Sequence, residues 1–482
     1  MKRFISIVII LCAAFLRLWR LPEFAMFLAD QGRDAVIARR IITFEHFPAI
    51  GPPSSIGQVY LGPFFYYLIA PFLIPLRFDP VGLAYGVAIL SIVGLITAFI
   101  MLEKTVNFET AIVFLILATF SFNLISFNRF SWNPNLLPFA SFMTMYFLYK
   151  TIYSKKNNLW YGLLFGAFFG FSFQLHHLAA LMAVPIGLIF LYYLAQQKKK
   201  RISHVISIGV SLIGFLIISF PLILFDLKHD FINFRNLNSL FTKQNIVAGG
   251  SPLTRLLETN QAFWNIALQI SLPAIPLFLL SLVIIGLLIF FIRKNKVHPL
   301  IVINALNAFS FIYCFSLLSS GRFPHYFGVA YLSMYAVMGY FASFLLKKPV
   351  TIVILSFLIV GFLFVNASQY YFIAGPPSDQ IKRAEQIANS ITPHMSGKLF
   401  NLATYPIEFT SEETYIYFLE AQGYHVADRG VSQVTDQMFV LCDRGPCDIL
   451  HTGSWNINMF GKAKIDTMWE VEGIKIYRLV HE

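Results

Sequence analysis

The strongest constraint on this chain is a succession of apolar runs, each about as long as a helix needs to cross a bilayer. They lie near residues 4–20, 58–76, 80–102, 109–127, 134–152, 158–174, 177–195, 203–225, 268–292, 298–318, 326–346 and 350–372. In lipid, runs of this length are stable only as helices that satisfy their own backbone groups. With 57% hydrophobic residues, 52 Phe and 12% charged residues, the chain is too apolar for a soluble enzyme, a coiled coil or a disordered protein. The expected class is a polytopic α-helical membrane protein.

The net charge of +12 is informative once divided. From Pro376 onward there are 9 basic and 14 acidic residues, so the tail carries −5 and the first 375 residues carry +17. The cations gather in Lys155-Lys156, Lys198–Arg201, Arg293-Lys294-Lys296 and Lys347-Lys348, between apolar runs. Such clusters report membrane orientation, not nucleic-acid binding, and mark cytoplasmic loops. Alternate loops carry Arg129, His176-His177 and Arg322 and are expected outside. The run at 58–76, with Gly62-Pro63 and two further prolines, suits an aromatic interfacial segment. Removing it from the count gives about eleven crossings, a cytoplasmic N-terminus, an external C-terminus and a plasma-membrane location. The first run resembles a signal peptide, but Arg17 and Arg20 follow it in place of a cleavage site, so it is read as retained.

Residues 1–375 thus form a membrane region with two long external segments, 22–79 and 226–265. After Gly375-Pro376-Pro377 the composition changes. Lys398–Ala403 and Gln437–Cys442 read as strands, Ile381–Ser390 and Glu412–Gly423 as helices, and Trp469–Val480 as a strand pair turning at Glu472-Gly473. Residues 376–482 are expected to form a small external α/β domain. There, Cys442 and Cys447 can pair in an oxidising compartment. Cys12 and Cys314 lie in apolar runs and read as core thiols.

The candidate chemistry gathers on one side of the membrane. Phe27-Leu28-Ala29-Asp30-Gln31-Gly32-Arg33-Asp34 follows the first helix, and Asp30 and Asp34 share a helical face one turn apart. Paired charges on a surface helix would look the same. The active reading makes a carboxylate accept the proton of an acceptor hydroxyl. Arg129, Trp132 and Asn133, then His176 and His177, then Arg322, His325 and Tyr326 sit at helix ends on that same side. Each alone is commonly a membrane anchor; together they suit a lipid-linked anion, because guanidinium binds phosphate through two hydrogen bonds. Adjacent histidines on a helix diverge and few other ligands are evident, so no cofactor is expected, with a divalent metal as the alternative. Ionisable residues are nearly absent from the run midpoints, unlike those of a coupled transporter.

In this order, Leu28–Asp34, Gly62–Tyr67, Phe127-Asn128-Arg129-Phe130-Ser131-Trp132-Asn133 and Arg322–Phe327 resemble motifs of the GT-C glycosyltransferases, in the group of protein O-mannosyltransferases and aminoarabinose transferases. The resemblance implies a polyprenyl-phosphate sugar donor, a lipid, glycan or protein acceptor, and inverting transfer at the external face. It maps the acceptor-activating acid onto Asp30. Arg129, Arg322, His325 and Tyr326 become candidates for the donor phosphate. Tyr60, Tyr66, Tyr67, Trp132, Asn133, His176 and His177 become candidates for the donor lipid or sugar. Many members carry Asp-Glu where this chain has Asp30-Gln31, so any second acidic role would shift to Asp34 or disappear. A lipid-linked glycan flippase and a non-catalytic envelope assembly protein are the alternatives.

Overall fold

The computed structural model describes all residues except 1, 55–58, 155–157, 197–200, 243–250, 407–410, 429–431 and 444–446. The basic residues Lys155, Lys156 and Lys198–Lys200 lie outside the described residues.

A helix occupies every apolar run. The chain begins with α1 (Lys2–Leu18), α2 (Leu21–Phe24), α3 (Ala29–Ile42) and α4 (Phe64–Ile69). It continues through α5 (Val81–Thr105), α6 (Phe108–Phe120), α7 (Phe122–Phe127), α8 (Leu137–Tyr153), α9 (Asn158–Leu175), α10 (Ala183–Gln196) and α11 (Arg201–Lys228). Then come α12 (Ile232–Thr242), α13 (Pro252–Leu268), α14 (Ala274–Arg293), α15 (Pro299–Ser316), α16 (Tyr331–Leu345) and α17 (Pro349–Ala367). Among the described residues, six stretches are long and apolar enough to cross a membrane, for example Val81–Thr105 and Ala274–Arg293.

Local chemistry sets the boundaries. The Asn107 side chain accepts from the Thr110 amide at 2.7 Å and starts α6. Pro299 and Pro349 stand at the first positions of α15 and α17, where a missing N–H costs nothing. Helices α9 and α11 approach until a methyl on Gly166 would sit 1.7 Å from the Ser211 carbonyl oxygen, the close contact that small residues allow between membrane helices. The segment 58–76 yields only α4 and a 3₁₀ turn, Ala70–Leu73. Its ten helical residues reach about 15 Å, too short to cross.

The long segment 226–265 is not simply a loop. It contains α12 and α13, and α13 buries Arg255, Thr259, Asn260, Phe263, Trp264 and Ala267 along one stripe. Helical periodicity was present in those residues; polar Arg255 and Asn260 within the stripe obscured it.

Beyond α17, the tail forms α18 (Gln380–Ile391), β1 (Leu399–Tyr405), α19 (Glu413–Ala421), β2 (His425–Val426), β3 (Gln437–Cys442), α20 (Trp455–Asn458), β4 (Ala463–Val471) and β5 (Ile474–His481). The sheet order is β2-β1-β3-β5-β4, with β1 parallel to β2 and β3, and β5 antiparallel to β3 and β4. Cys442 and Cys447 form a disulfide. Strand β4 begins at Ala463, six positions before the expected Trp469; its exposed positions include the apolar Ile465 and Met468 as well as Lys464, Asp466 and Glu470, which blurs the alternation expected of a strand.

The tail is pressed against α3. A methyl on Gly32 would lie 2.2 Å from the Glu413 carbonyl oxygen, so α19 meets α3 backbone to backbone. Arg40 pairs with Glu420 at 2.6 Å, and Phe27 meets the Phe418 ring edge-on at 5.8 Å. The Tyr417 hydroxyl donates to the Phe78 carbonyl. The helix carrying Asp30 is therefore clamped between the tail and the apolar bundle.

Candidate active site

Helix α3 starts without a capping side chain at Leu28. Gln31 supplies the missing bond: its Oε1 accepts from the Leu28 amide at 3.1 Å, while its Nε2 donates to the Ser131 carbonyl at 3.1 Å. A carboxylate at position 31 could make the first contact but not the second. Gln31 is thus a tether joining α3 to the 128–133 loop.

One turn of α3 holds three charges. Arg33 donates to Asp30 Oδ1 at 2.8 Å, and its Nη2 and Nε donate to Asp34 Oδ1 at 2.7 and 3.0 Å. The two carboxylates differ in access. The Asp30 side chain is 45% exposed, whereas that of Asp34 is 0% exposed. Burial raises Asp34 to about 6, with the Arg33 charge and hydrogen bond acting against that rise. Tyr66, also buried, adds its hydroxyl to this group, and burial and the Asp34 charge push that phenol upward. The placement corrects the catalytic reading of Asp34: a carboxylate with no exposed surface cannot meet an acceptor, and its contact is with Arg33.

The second oxygen of Asp30 accepts from Trp132 Nε1 at 3.1 Å. Trp132 leads into a cluster of rings. Its indole lies 4.5 Å from the His325 ring, and His325 lies 4.4 Å from Tyr326 and 5.8 Å from His176. Burial lowers His325 to about 4, so its imidazole is neutral at ordinary pH. Arg322 stands one ring further, with its guanidinium 4.5 Å from the Phe315 ring, which in turn contacts Tyr326. Arg322 donates to Thr259 Oγ1 at 2.8 Å, to the Leu318 carbonyl at 3.0 Å and to the Ser320 carbonyl.

The other candidates lie elsewhere. Arg129 is buried, donates to the Leu16 and Trp19 carbonyls at 3.0 and 2.8 Å and stacks 4.0 Å from the Phe372 ring. This corrects its reading as a phosphate ligand, since it closes the end of α1. Asn133 donates to the Leu175 carbonyl, His177 contacts the Val59 carbonyl, and Tyr67 donates to the Pro48 carbonyl. Tyr60 meets the Phe225 ring at 5.8 Å. These four hold loops in place, and Tyr66 stands behind Asp34.

Sequence reading missed several contributors. Arg17 is fully buried and donates to Asn128 Oδ1 and to the Ala118 and Thr119 carbonyls freed where α6 breaks. Arg255 is buried on α13 and donates to the Ser316 carbonyl. Gln174 bridges the Phe64 amide and the Ile218 carbonyl. Their signal was a polar residue amid an apolar run, which does not say what it meets. Among the described residues, no three His, Cys, Asp or Glu side chains come together in a metal-binding group.

No protein-family model and no curated protein matches the sequence. Solved structures match over nearly the full length. ArnT of Cupriavidus metallidurans bound to undecaprenyl phosphate superposes with a TM-score of 0.61 at 13% identity, covering 98% of this chain and 97% of that one. Its apo form gives 0.57. The oligosaccharyltransferase of Archaeoglobus fulgidus gives 0.56 at 12% identity, covering 88% of this chain and 64% of that one. At such identities the likeness defines a fold: this chain has the fold of the GT-C membrane glycosyltransferases.

Proposed function

We propose that this protein is an integral membrane glycosyltransferase, moving a sugar from a polyprenyl phosphate to a hydroxyl of a lipid, glycan or protein acceptor. The observation that carries the reading is Asp30, a half-exposed carboxylate fixed by Arg33 and Trp132 at the rim of the His325–Tyr326–His176 cluster. A base held from two sides is suited to taking one proton in one direction.

In the proposed step the acceptor hydroxyl gives its proton to Asp30 as its oxygen bonds to the anomeric carbon. The bond from that carbon to the phosphate oxygen breaks on the opposite face, and the lipid phosphate leaves with the electron pair. The configuration inverts. A phosphate needs no protonation to leave, so one carboxylate suffices where a glycosidase needs two. We assign the neutral imidazole of His325 and the guanidinium of Arg322 to the leaving phosphate. For Arg322 this means exchanging loop carbonyls for phosphate oxygens.

We place the reaction at the external face, with the N-terminus cytoplasmic and the tail outside. The cations clustered in alternate loops, the acidic tail and the Cys442–Cys447 disulfide support that orientation; a reporter fused after Pro376 that scored cytoplasmic would reverse it. The catalytic test is transfer of radiolabelled sugar from polyprenyl phosphate by membranes carrying wild type or Asp30→Asn. Wild type should transfer and the variant should not. Near-normal transfer by a correctly folded Asp30→Asn protein removes the mechanism.

A further inference from the structure

A second cavity lies on the far side of α3. A cavity of about 450 Å³ opens at the seam between the helical region and the tail. Arg39 of α3, the turn Arg77-Phe78-Asp79, Glu385 of α18 and Tyr417 of α19 line it. Arg39 follows Asp30 by nine residues, which places it about 13 Å along the axis and half a turn around it. The cavity therefore does not share the ring cluster that Asp30 faces.

Its chemistry is mixed. Two guanidinium and two carboxylate groups cancel in charge, so the site lacks the excess cation of an anion trap. The side chains of Arg39, Arg77 and Glu385 make no hydrogen bond or ion pair among the described residues, and Asp79 accepts from the Val81 amide with Oδ1. Arg77 and Phe78 both occupy the left-handed region, at φ 54° and 67°, a conformation unfavourable for these side chains. The turn is held there by the Tyr417 hydroxyl on the Phe78 carbonyl. It presents a guanidinium and a 39% exposed phenyl ring at the seam. Unpaired donors and acceptors beside an open aromatic ring match a ligand that both donates and accepts on adjacent atoms and has an apolar face. A saccharide has those properties.

We infer that the seam cavity binds sugar units of the acceptor, which makes that acceptor a glycan or glycolipid. The assignment to an acceptor rests on the transferase reading; the saccharide site itself does not. Binding energy gathered this far from the reacting centre would orient the acceptor hydroxyl toward Asp30. Because the cavity has walls from both α3 and the tail, it exists only when the two are docked.

The test uses the full-length protein in nanodiscs on an array of neutral and anionic oligosaccharides. Wild type should bind, and Arg39→Gln and Glu385→Gln should each weaken binding by about tenfold, the value of one charge-assisted hydrogen bond. Asp30→Asn should bind like wild type. Absence of array binding, equal binding by the Arg39 and Glu385 variants, or loss of the signal to excess inorganic phosphate each overturns the inference. Binding without any transfer by wild type would defeat the transferase reading and leave the saccharide site standing. Transfer without seam binding would do the reverse.

Discussion

Two arginine-bearing regions stand at helix ends near the tail, and they do opposite things. Around α1, Arg17 and Arg129 are buried and their donors meet backbone carbonyls: Ala118 and Thr119 for one, Leu16 and Trp19 for the other. On α3, Arg33 meets two carboxylates, and one of them reaches the surface. The first region closes gaps left by ending helices, where an unmet carbonyl would be costly. The second arranges charge beside an open rim. The fully buried Arg17 and Arg129 are thus braces at helix ends, whereas Arg33 belongs to the candidate site through its two carboxylates.

The comparison is broken most directly at Asp30. Asp30→Asn keeps the shape and the Trp132 contact but removes the base, and transfer should fall about 10²- to 10⁴-fold. Donor binding, read by retention of a fluorescent polyprenyl phosphate, should change little. Next in size is Gly32→Val. Its side chain would enter the space of the Glu413 carbonyl, pushing α19 off α3. A displacement of about 1 Å at the base costs on the order of 10²-fold in rate, and limited proteolysis should release the tail. Intact docking with full activity would show that the clamp does not hold Asp30 in place.

Arg129→Met should give the opposite signature. Removing a buried cation whose donors meet two carbonyls leaves those acceptors unmet, which costs about 1–3 kcal/mol each. Thermal unfolding in detergent should drop, while turnover per folded molecule stays near wild type. A variant of normal stability that had lost donor binding would return Arg129 to the site.

This pair also shows what the sequence could and could not convey. The apolar runs, the tail elements and the one-sided gathering of polar helix ends were legible because hydrophobic period and charge placement are local. The Asp30–Trp132–His325 group was nameable from its members, since each lies in a short motif at a helix end. The split between Arg129 and Arg322 was not, because it depends on where α1 ends relative to the 128–133 loop. Asp34 failed for a similar reason: spacing put it on the face of Asp30, but it is fully buried beside Tyr66 and Arg33. Gln31 looked like a missing acid and is a tether. Gly32 carried no chemical signal, although the contact with Glu413 requires the absence of its side chain.

The smallest effect separates the two carboxylates by pH. Asp34 titrates near 6, raised by burial. Above that value it is charged and shares Arg33 with Asp30. As pH falls through about 6, Asp34 takes up a proton and loses its claim on the guanidinium, leaving Asp30 as the charged partner of Arg33. With Asp34 neutral, Arg33 is no longer held from that side and the Arg33–Asp30 pair loses part of its fixed geometry, so transfer should decline on the acid side by about threefold to tenfold. Asp34→Asn fixes the protonated charge state at every pH. Its rate at neutral pH should match the lowered wild-type rate, and the inflection near 6 should vanish from its profile. If the inflection persists in that variant, the proton belongs to another group, and Asp34 and Asp30 are not coupled through Arg33.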